Sequence, residues 1–288
     1  YLKENAIGTS RTMELLLDFS GDAPEHLASR RRMFVASPHV WLKDPQWLAQ
    51  SRGFGPMDIP AANAWREWSH EIWKARDASA HYGMWLHGNL PENFVADSTP
   101  ALYRMLGGSV HYGHSATEWL LYMCTGQSGH LRHARANTHQ HRDVEIVHWT
   151  SPELSALPEL ERKVLGATNT VSAYPWRLGS CFGFYAKCDY LLWDYYLRGD
   201  RRSLETARLH ADGVMKFDNG KNLTRSAGGT LKTLIDWYAH NWDAAVAAKI
   251  DDIIQWIIRN DPTGQKNKKT MLNWTNWMPQ YLRLTKDP

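Results

Sequence analysis

Residues 107–152 read GGSVHYGHSATEWLLYMCTGQSGHLRHARANTHQHRDVEIVHWTSP, and the rest of the chain is read outward from them. Trp119, Leu120, Met123 and Cys124 fall at i, i+1, i+4 and i+5, which is one face of a helix. Gly126 can take the left-handed conformation that ends a helix, and Ser128 can cap the next one. The stretch therefore reads as a loop, an apolar helix, a tight turn, a polar helix and a charged exit. Seven of the 14 histidines lie in it: His111, His114, His130, His133, His139, His141 and His148.

From this point the chain repeats. WLLYMCTGQSGHLRHA (119–134) is echoed by LLWDYYLRGDRRSLETA (191–207), more weakly by TLIDWYAHNWDAAVAAK (233–249), and a fourth unit begins as MPQYLRLTKDP (278–288). Each unit is an apolar helix, a tight turn at Gly126, Gly199, Asn241 or Lys286, then a second helix. Gly199 followed by Asp200 is a helix stop and then an N-cap. The second helices carry apolar stripes: Leu204, Ala207, Ala211 and Val214, then Ile250, Ile253, Ile254 and Ile257. Repeated antiparallel helix pairs predict a mainly α fold, a solenoid or a closed (α/α) toroid.

Upstream, Met13, Leu15, Leu17 and Phe19 alternate with Thr12, Glu14, Leu16 and Asp18 between Gly8 and Gly21, which predicts a strand. A lone strand leaves its edges unpaired. Residues 1–22 are therefore expected to be the end of an N-terminal β-domain that mostly precedes them, and residues 23–288 the toroid-like helical domain. Asp44-Pro45 opens a short helix through Gln50, and 60–81 reads as a longer one. The closing Asp287-Pro288 reads as the start of a further helix, so the domain is expected to be incomplete.

A formal charge of +3 with no long Lys/Arg block gives no case for nucleic acid. No apolar run approaches the roughly 20 residues that span a bilayer, so no membrane partner is expected. Three cysteines show no C-x-x-C spacing. The 15 Trp and 12 Tyr suit core packing, or a cleft in which flat faces meet sugar rings.

If the tight turns share one end of the helix pairs, the long connections share the other: 107–114, 147–183, 217–228 and 261–272. Binding and catalytic groups concentrate on such loops. They carry His111, Tyr112, His114, His148, Trp149, Tyr174, Trp176, Arg177 and Arg225. His139, His141, Asp143, Glu145 and His148 allow a metal reading, but i and i+2 on a helix point about 200° apart. His139/Asp143 and His141/Glu145, at i and i+4, read more simply as surface pairs. No metal and no cofactor is expected, since no G-x-S-x-G, Walker loop or Rossmann fingerprint occurs.

GTSRTMELLLDF (8–19), DPQWLAQSRGFGPM (44–57), the TGQ…RHARANTHQHRDVEIVH block (125–148) and LLWDYYLRGDRRSLETARLHADGV (191–214) together resemble the exo-rhamnogalacturonan-lyase-like family. The resemblance covers most of the chain in order. It departs where the usual Thr-Gly-Asp is Arg-Gly-Asp at 198–200 and Thr-Lys-Asp at 285–287. It implies a β-domain followed by an α/α toroid, a secreted or periplasmic location, and β-elimination on an acidic, uronate-containing polysaccharide.

That reaction needs a cation to neutralise the uronate carboxylate as charge develops, for which Arg177, Arg225 or Arg142 have the matching fork. It also needs a base, among His148, His114 and Tyr174, and an acid, Tyr112 or Tyr174. His111, Tyr112, Trp149, Trp176 and Arg225 are expected to bind substrate. A glycoside hydrolase using two of Glu118, Asp143, Glu145 and Asp189, or a non-catalytic glycan-binding or structural assembly protein, are the alternatives.

Overall fold

The computed structural model describes residues 41, 43–54, 114–156, 164–168, 187–223 and 225–262, with shorter pieces at 26–30 and between 59 and 74 and single positions between 10 and 21. These residues are mainly helical. The helices are α1 (Pro45–Ser51), α2 (His114–Thr125), α3 (Ser128–Gln140), α4 (Pro152–Ser155), α5 (Asp189–Arg198), α6 (Arg201–Phe217), α7 (Arg225–Asn241) and α8 (Ala244–Asn260). A π-helical turn, His141–Glu145, follows α3 without a break. No helix among the described residues is long and apolar enough to cross a membrane.

The caps explain the boundaries. Asp44 accepts the backbone N–H groups of Gln46 and Trp47 and starts α1. Gly199 at φ 73 stops α5, and Asp200 accepts the Ser203 N–H at 3.0 Å to start α6. Between α7 and α8 the left-handed residue is Trp242, at φ 55, and Asp243 accepts the Ala245 N–H. Ser128 does not cap α3: it is the first helical residue, and the cap position is Gln127, whose side chain makes no capping bond.

Successive helices pack as pairs: α2 on α3, α5 on α6, α6 on α7, and α7 on α8. One apolar cluster runs from Leu48 on α1 through Trp119, Tyr122, Leu191, Ala211 and Leu234 to Ile257 on α8. The stripe Ile250, Ile253, Ile254 and Ile257 is buried, as are Ala207, Ala211 and Val214, with Leu204 packed partly buried against them.

Two expectations change. The Gly199 turn and the turn at Trp242 share an end, because the Tyr196 hydroxyl lies 2.9 Å from His240 Nδ1. The Gly126 turn does not join them. Arg142, beyond the opposite end of the 13-residue α3, bonds Asp200 beside Gly199, so about 20 Å of helix separates that contact from Gly126. The cause is a crossing: the end of α3 also lays His141 against Tyr190 in the first half of α5, ring centroids 4.7 Å apart.

Of the stretch expected as a strand, the described positions 12, 15, 17 and 19 lie outside regular structure. Leu15, Leu17 and Phe19 are exposed, while Ser10 and Thr12 dock on Asp143. The only β pairing among the described residues is the isolated bridge Ile146–Thr168.

Candidate functional site

Although the tight turns do not all share an end, the beginnings of α2 and α5 converge on the π turn. His114 opens α2, His141 and Glu145 come from the π turn, Lys187 and Tyr190 flank the start of α5, and Lys232 and Asp236 come from α7. His141 Nε2 lies 3.3 Å from Glu145 Oε2. Lys232 Nζ lies 3.4 Å from an Asp189 oxygen and is hydrogen-bonded to Asp236. The Tyr190 hydroxyl is buried and has no partner with hydrogen-bond geometry.

Burial sets the charge states here. It lowers His114 to about 4, with Lys187 adding to the effect and Glu118 opposing it. It lowers His141 to about 3, with Lys187 and His114 adding to the effect. Both imidazoles are therefore neutral at neutral pH. Burial holds Glu145 well above the ordinary carboxylate range, with Gln140 opposing. The Tyr190 phenol is raised by burial and by the nearby acids. Burial lowers Lys187. Lys232 also loses solvation, but Asp189 and Asp236 outweigh the loss and raise it. The cluster thus places two neutral imidazoles beside a carboxyl and a phenol that burial shifts towards their protonated forms, the kind of perturbation that clusters at functional sites. His114 and Lys187 are its partly exposed members.

On the other side of the π turn lies an ion-pair network. Arg142 grips Asp143 with two bonds, Nε to Oδ1 at 2.8 Å and Nη2 to Oδ2 at 3.2 Å, and reaches Asp200 through Nη1 at 2.9 Å. Asp143 also accepts the Thr12 backbone N–H and hydroxyl. Burial pushes Asp143 up, but the Arg142 bonds and charge and the Thr12 bonds hold it below its ordinary value. Arg142, weighed above as a carboxylate clamp, therefore has its fork filled by the protein's own carboxylates.

His148 belongs to this network too. Its Nε2 faces the Arg142 carbonyl, and its Nδ1 lies 3.2 Å from Arg202 Nη2. A carbonyl only accepts, so Nε2 carries the proton and Nδ1 accepts from the guanidinium. Neither nitrogen is then free to take a proton from a substrate, and His148 is not brought to the His114 group. Trp149 beside it is 60% exposed.

The third feature is a cleft of about 550 Å³ between α3 and the helical residues 65–74. His130 and His133 line it, and Glu118 of α2 lies behind them. Burial acts to raise Glu118, but the hydrogen bonds of His130 and Ser69 and the nearby His133 ring bring it down to about 2.

Of the residues singled out in the sequence, His111, Tyr112, Tyr174, Trp176 and Arg177 lie outside the described residues. Arg225 is the first residue of α7, and its side chain also lies outside them. His139 and His141 turn to different neighbours, Asp194 and Asp200 for the first and Tyr190 and Glu145 for the second. Of the i, i+4 pairs expected at the surface, His141, Asp143 and Glu145 are buried and His139 is half-buried, and Asp143 pairs with Arg142 rather than His139.

The sequence reading passed over Lys187, Tyr190, Lys232 and Asp236. A signal was there: Lys232 and Asp236 stand at i and i+4 among Leu231, Leu234, Ile235 and Trp237. No protein-family model and no curated protein matches the chain.

Proposed function

We propose that the chain belongs to a secreted or periplasmic enzyme that cleaves a uronate-containing polysaccharide by β-elimination, with its helix pairs closing into an (α/α) toroid. The observation that supports this reading is the His114–His141–Tyr190–Lys187 group, in which neutral imidazoles and a protonated phenol share a site with a cation. Lys187 makes no ion pair among the described residues.

Elimination asks for this set. A neutral imidazole takes the proton next to the uronate carboxylate, and His114, on the exposed side, is the candidate. A phenol returns a proton to the leaving oxygen; the Tyr190 hydroxyl is wholly buried, so Tyr112, named for that role in the sequence, is the candidate. An ammonium offsets the charge that develops on the carboxylate, a term worth several kcal/mol in a water-excluded site. The hydrolase reading is less well supported: Asp143 is tied to Arg142, Asp189 to Lys232, and Glu118 to Ser69, Trp73 and His130.

Incubation with acidic glycans, followed in the near ultraviolet, tests the proposal. Elimination leaves an unsaturated, absorbing uronate, and His114→Ala should lower its appearance by about 10²–10⁴-fold. New reducing ends without absorbance would overturn the lyase reading in favour of hydrolysis. Glycan binding with no product would favour a non-catalytic protein.

A further inference from the structure

We propose that Glu118, His130 and His133 form a site for a single divalent transition-metal ion of the zinc class, with one coordination position open to the cleft. The inference does not rest on the lyase reading, since the three residues belong to a different face of the α2–α3 pair.

His130 and His133 stand at i and i+3 on α3, so their rings leave the same side of the helix. Both direct Nδ1 at one oxygen of Glu118: His130 Nδ1 is 2.9 Å from Oε2 and His133 Nδ1 is 3.8 Å from it. The three ligand atoms all lie within 4.8 Å of one another. Ligands held about 2.0–2.2 Å from a tetrahedral ion are roughly 3.3 Å apart, which these separations bracket. The His133 distance is too long for a hydrogen bond, and this buried nitrogen has no hydrogen-bond partner.

The surroundings are already those of a ligand set. The other Glu118 oxygen, Oε1, accepts from the Ser69 hydroxyl and, at 3.1 Å, from Trp73 Nε1. Those donors fix the carboxylate and leave Oε2 for the ion, as outer-shell partners do in metal sites. Trp73 also stacks on the His133 ring, centroids 3.9 Å apart and planes 9° from parallel, and so fixes its orientation. Three protein ligands facing a cleft leave a fourth position for water or a small anionic ligand, the pattern of reactive rather than purely structural zinc. Arg66 and Arg132 line the same cleft together with Glu67 and Glu71, so charges of both signs surround that position.

A second group, His139 with Asp194 and Asp200, has comparable spacing but is already neutralised. Arg198 bonds Asp194 at 2.9 Å, Ser203 bonds it at 2.6 Å, and Arg142 bonds Asp200. A cation would have to displace two guanidinium groups there, whereas at Glu118 it replaces one imidazole hydrogen bond.

The test uses the full chain, stripped with a chelator and titrated with Zn²⁺ in competition with a chromophoric chelator, and separately with Co²⁺. One ion per chain is expected, with a visible Co²⁺ spectrum of low-symmetry, four- or five-coordinate type. His133→Ala should weaken Zn²⁺ at least tenfold, and His130→Gln likewise, while His139→Ala should leave binding intact. Each variant is checked for native far-ultraviolet circular dichroism. The wild-type Co²⁺ spectrum stands as evidence even if a variant fails to fold. An octahedral, water-like Co²⁺ spectrum, binding unchanged in folded His133→Ala, or binding lost in His139→Ala would each overturn the assignment.

Discussion

Alanine at Gly126 and at Gly199 should differ in cost, and the structure says by how much. Both glycines have positive φ, 67 and 73. Each alanine therefore carries the left-handed penalty of about 1–2 kcal/mol. At Gly199 nothing lies within 4 Å of the added Cβ, so the cost ends there. At Gly126 the Cβ would meet the Trp41 ring at 2.5, 2.7 and 2.8 Å, far inside the roughly 3.5–4.0 Å of a relaxed carbon contact.

Trp41 is not free to swing away, because its Nε1 donates to the Met123 carbonyl at 3.0 Å. Moving the ring adds an overpacking cost of about 1–3 kcal/mol and endangers a bond worth about 1 kcal/mol. Gly126→Ala should thus lose about 2–5 kcal/mol against about 1–2 kcal/mol for Gly199→Ala. Urea unfolding of the two variants reads the difference directly. The cycle with Trp41→Ala should show a coupling of about 1–3 kcal/mol. Equal losses at the two glycines, or additive losses in the cycle, would mean that Trp41 does not sit over this turn.

Two further outcomes follow from the buried charges. Arg142→Ala leaves Asp143 and Asp200 without their counter-charge and should cost about 3–5 kcal/mol; Arg142→Lys, which keeps charge but not the fork, should cost less, and a loss below about 1 kcal/mol for the alanine by denaturant unfolding would contradict the pairing. Acid stability should begin to fall near pH 6.5. There the unfolded chain starts to protonate histidines that the folded chain keeps neutral down to about 4 at His114 and about 3 at His141. Glu118, held at about 2 in the fold, adds a second loss as pH drops below its ordinary value of about 4.5. Melting temperature against pH should show both limbs, and His141→Phe should weaken the first. A flat profile between pH 6.5 and 5 would refute the buried-neutral assignment.

The features legible in the sequence were those that local chemistry determines. Gly199-Asp200 announces a helix stop and a cap because only a residue tolerant of positive φ, followed by a short acceptor, makes so tight a turn. The isoleucine stripe of α8 announces its buried face by spacing alone. The turn expected at Asn241 has its left-handed residue one position on, at Trp242, where no glycine marks it. The end of the Gly126 turn was not legible, since the crossing of α3 over α5 depends on contacts between distant segments. The meeting of Glu118 with His130 and His133 likewise depends on the register of α2 against α3. The spacing of the two histidines was visible, but the carboxylate opposite them was not.

The π turn at His141–Glu145 accounts for the largest difference between sequence and structure. HRDVE reads as a solvated, charged helix end, yet His141, Arg142, Asp143 and Glu145 are all buried. Closing the turn through Ile146 N–H to the His141 carbonyl, at 3.1 Å, inserts an extra residue relative to an α-helix. Such insertions occur often at functional sites. The widened turn sends adjacent side chains to opposite sides, with His141 towards Tyr190 and Arg142 towards Asp143 and Asp200. One side fastens α6, Ser10 and Thr12 to the end of α3 through hydrogen bonds of Arg142 and Asp143. The other side holds His141, Glu145 and Tyr190 out of water. The ion pairs around Arg142 and the buried acid–base group are therefore two consequences of a single backbone irregularity. A change that restores α-helical geometry to the turn should disturb both at once.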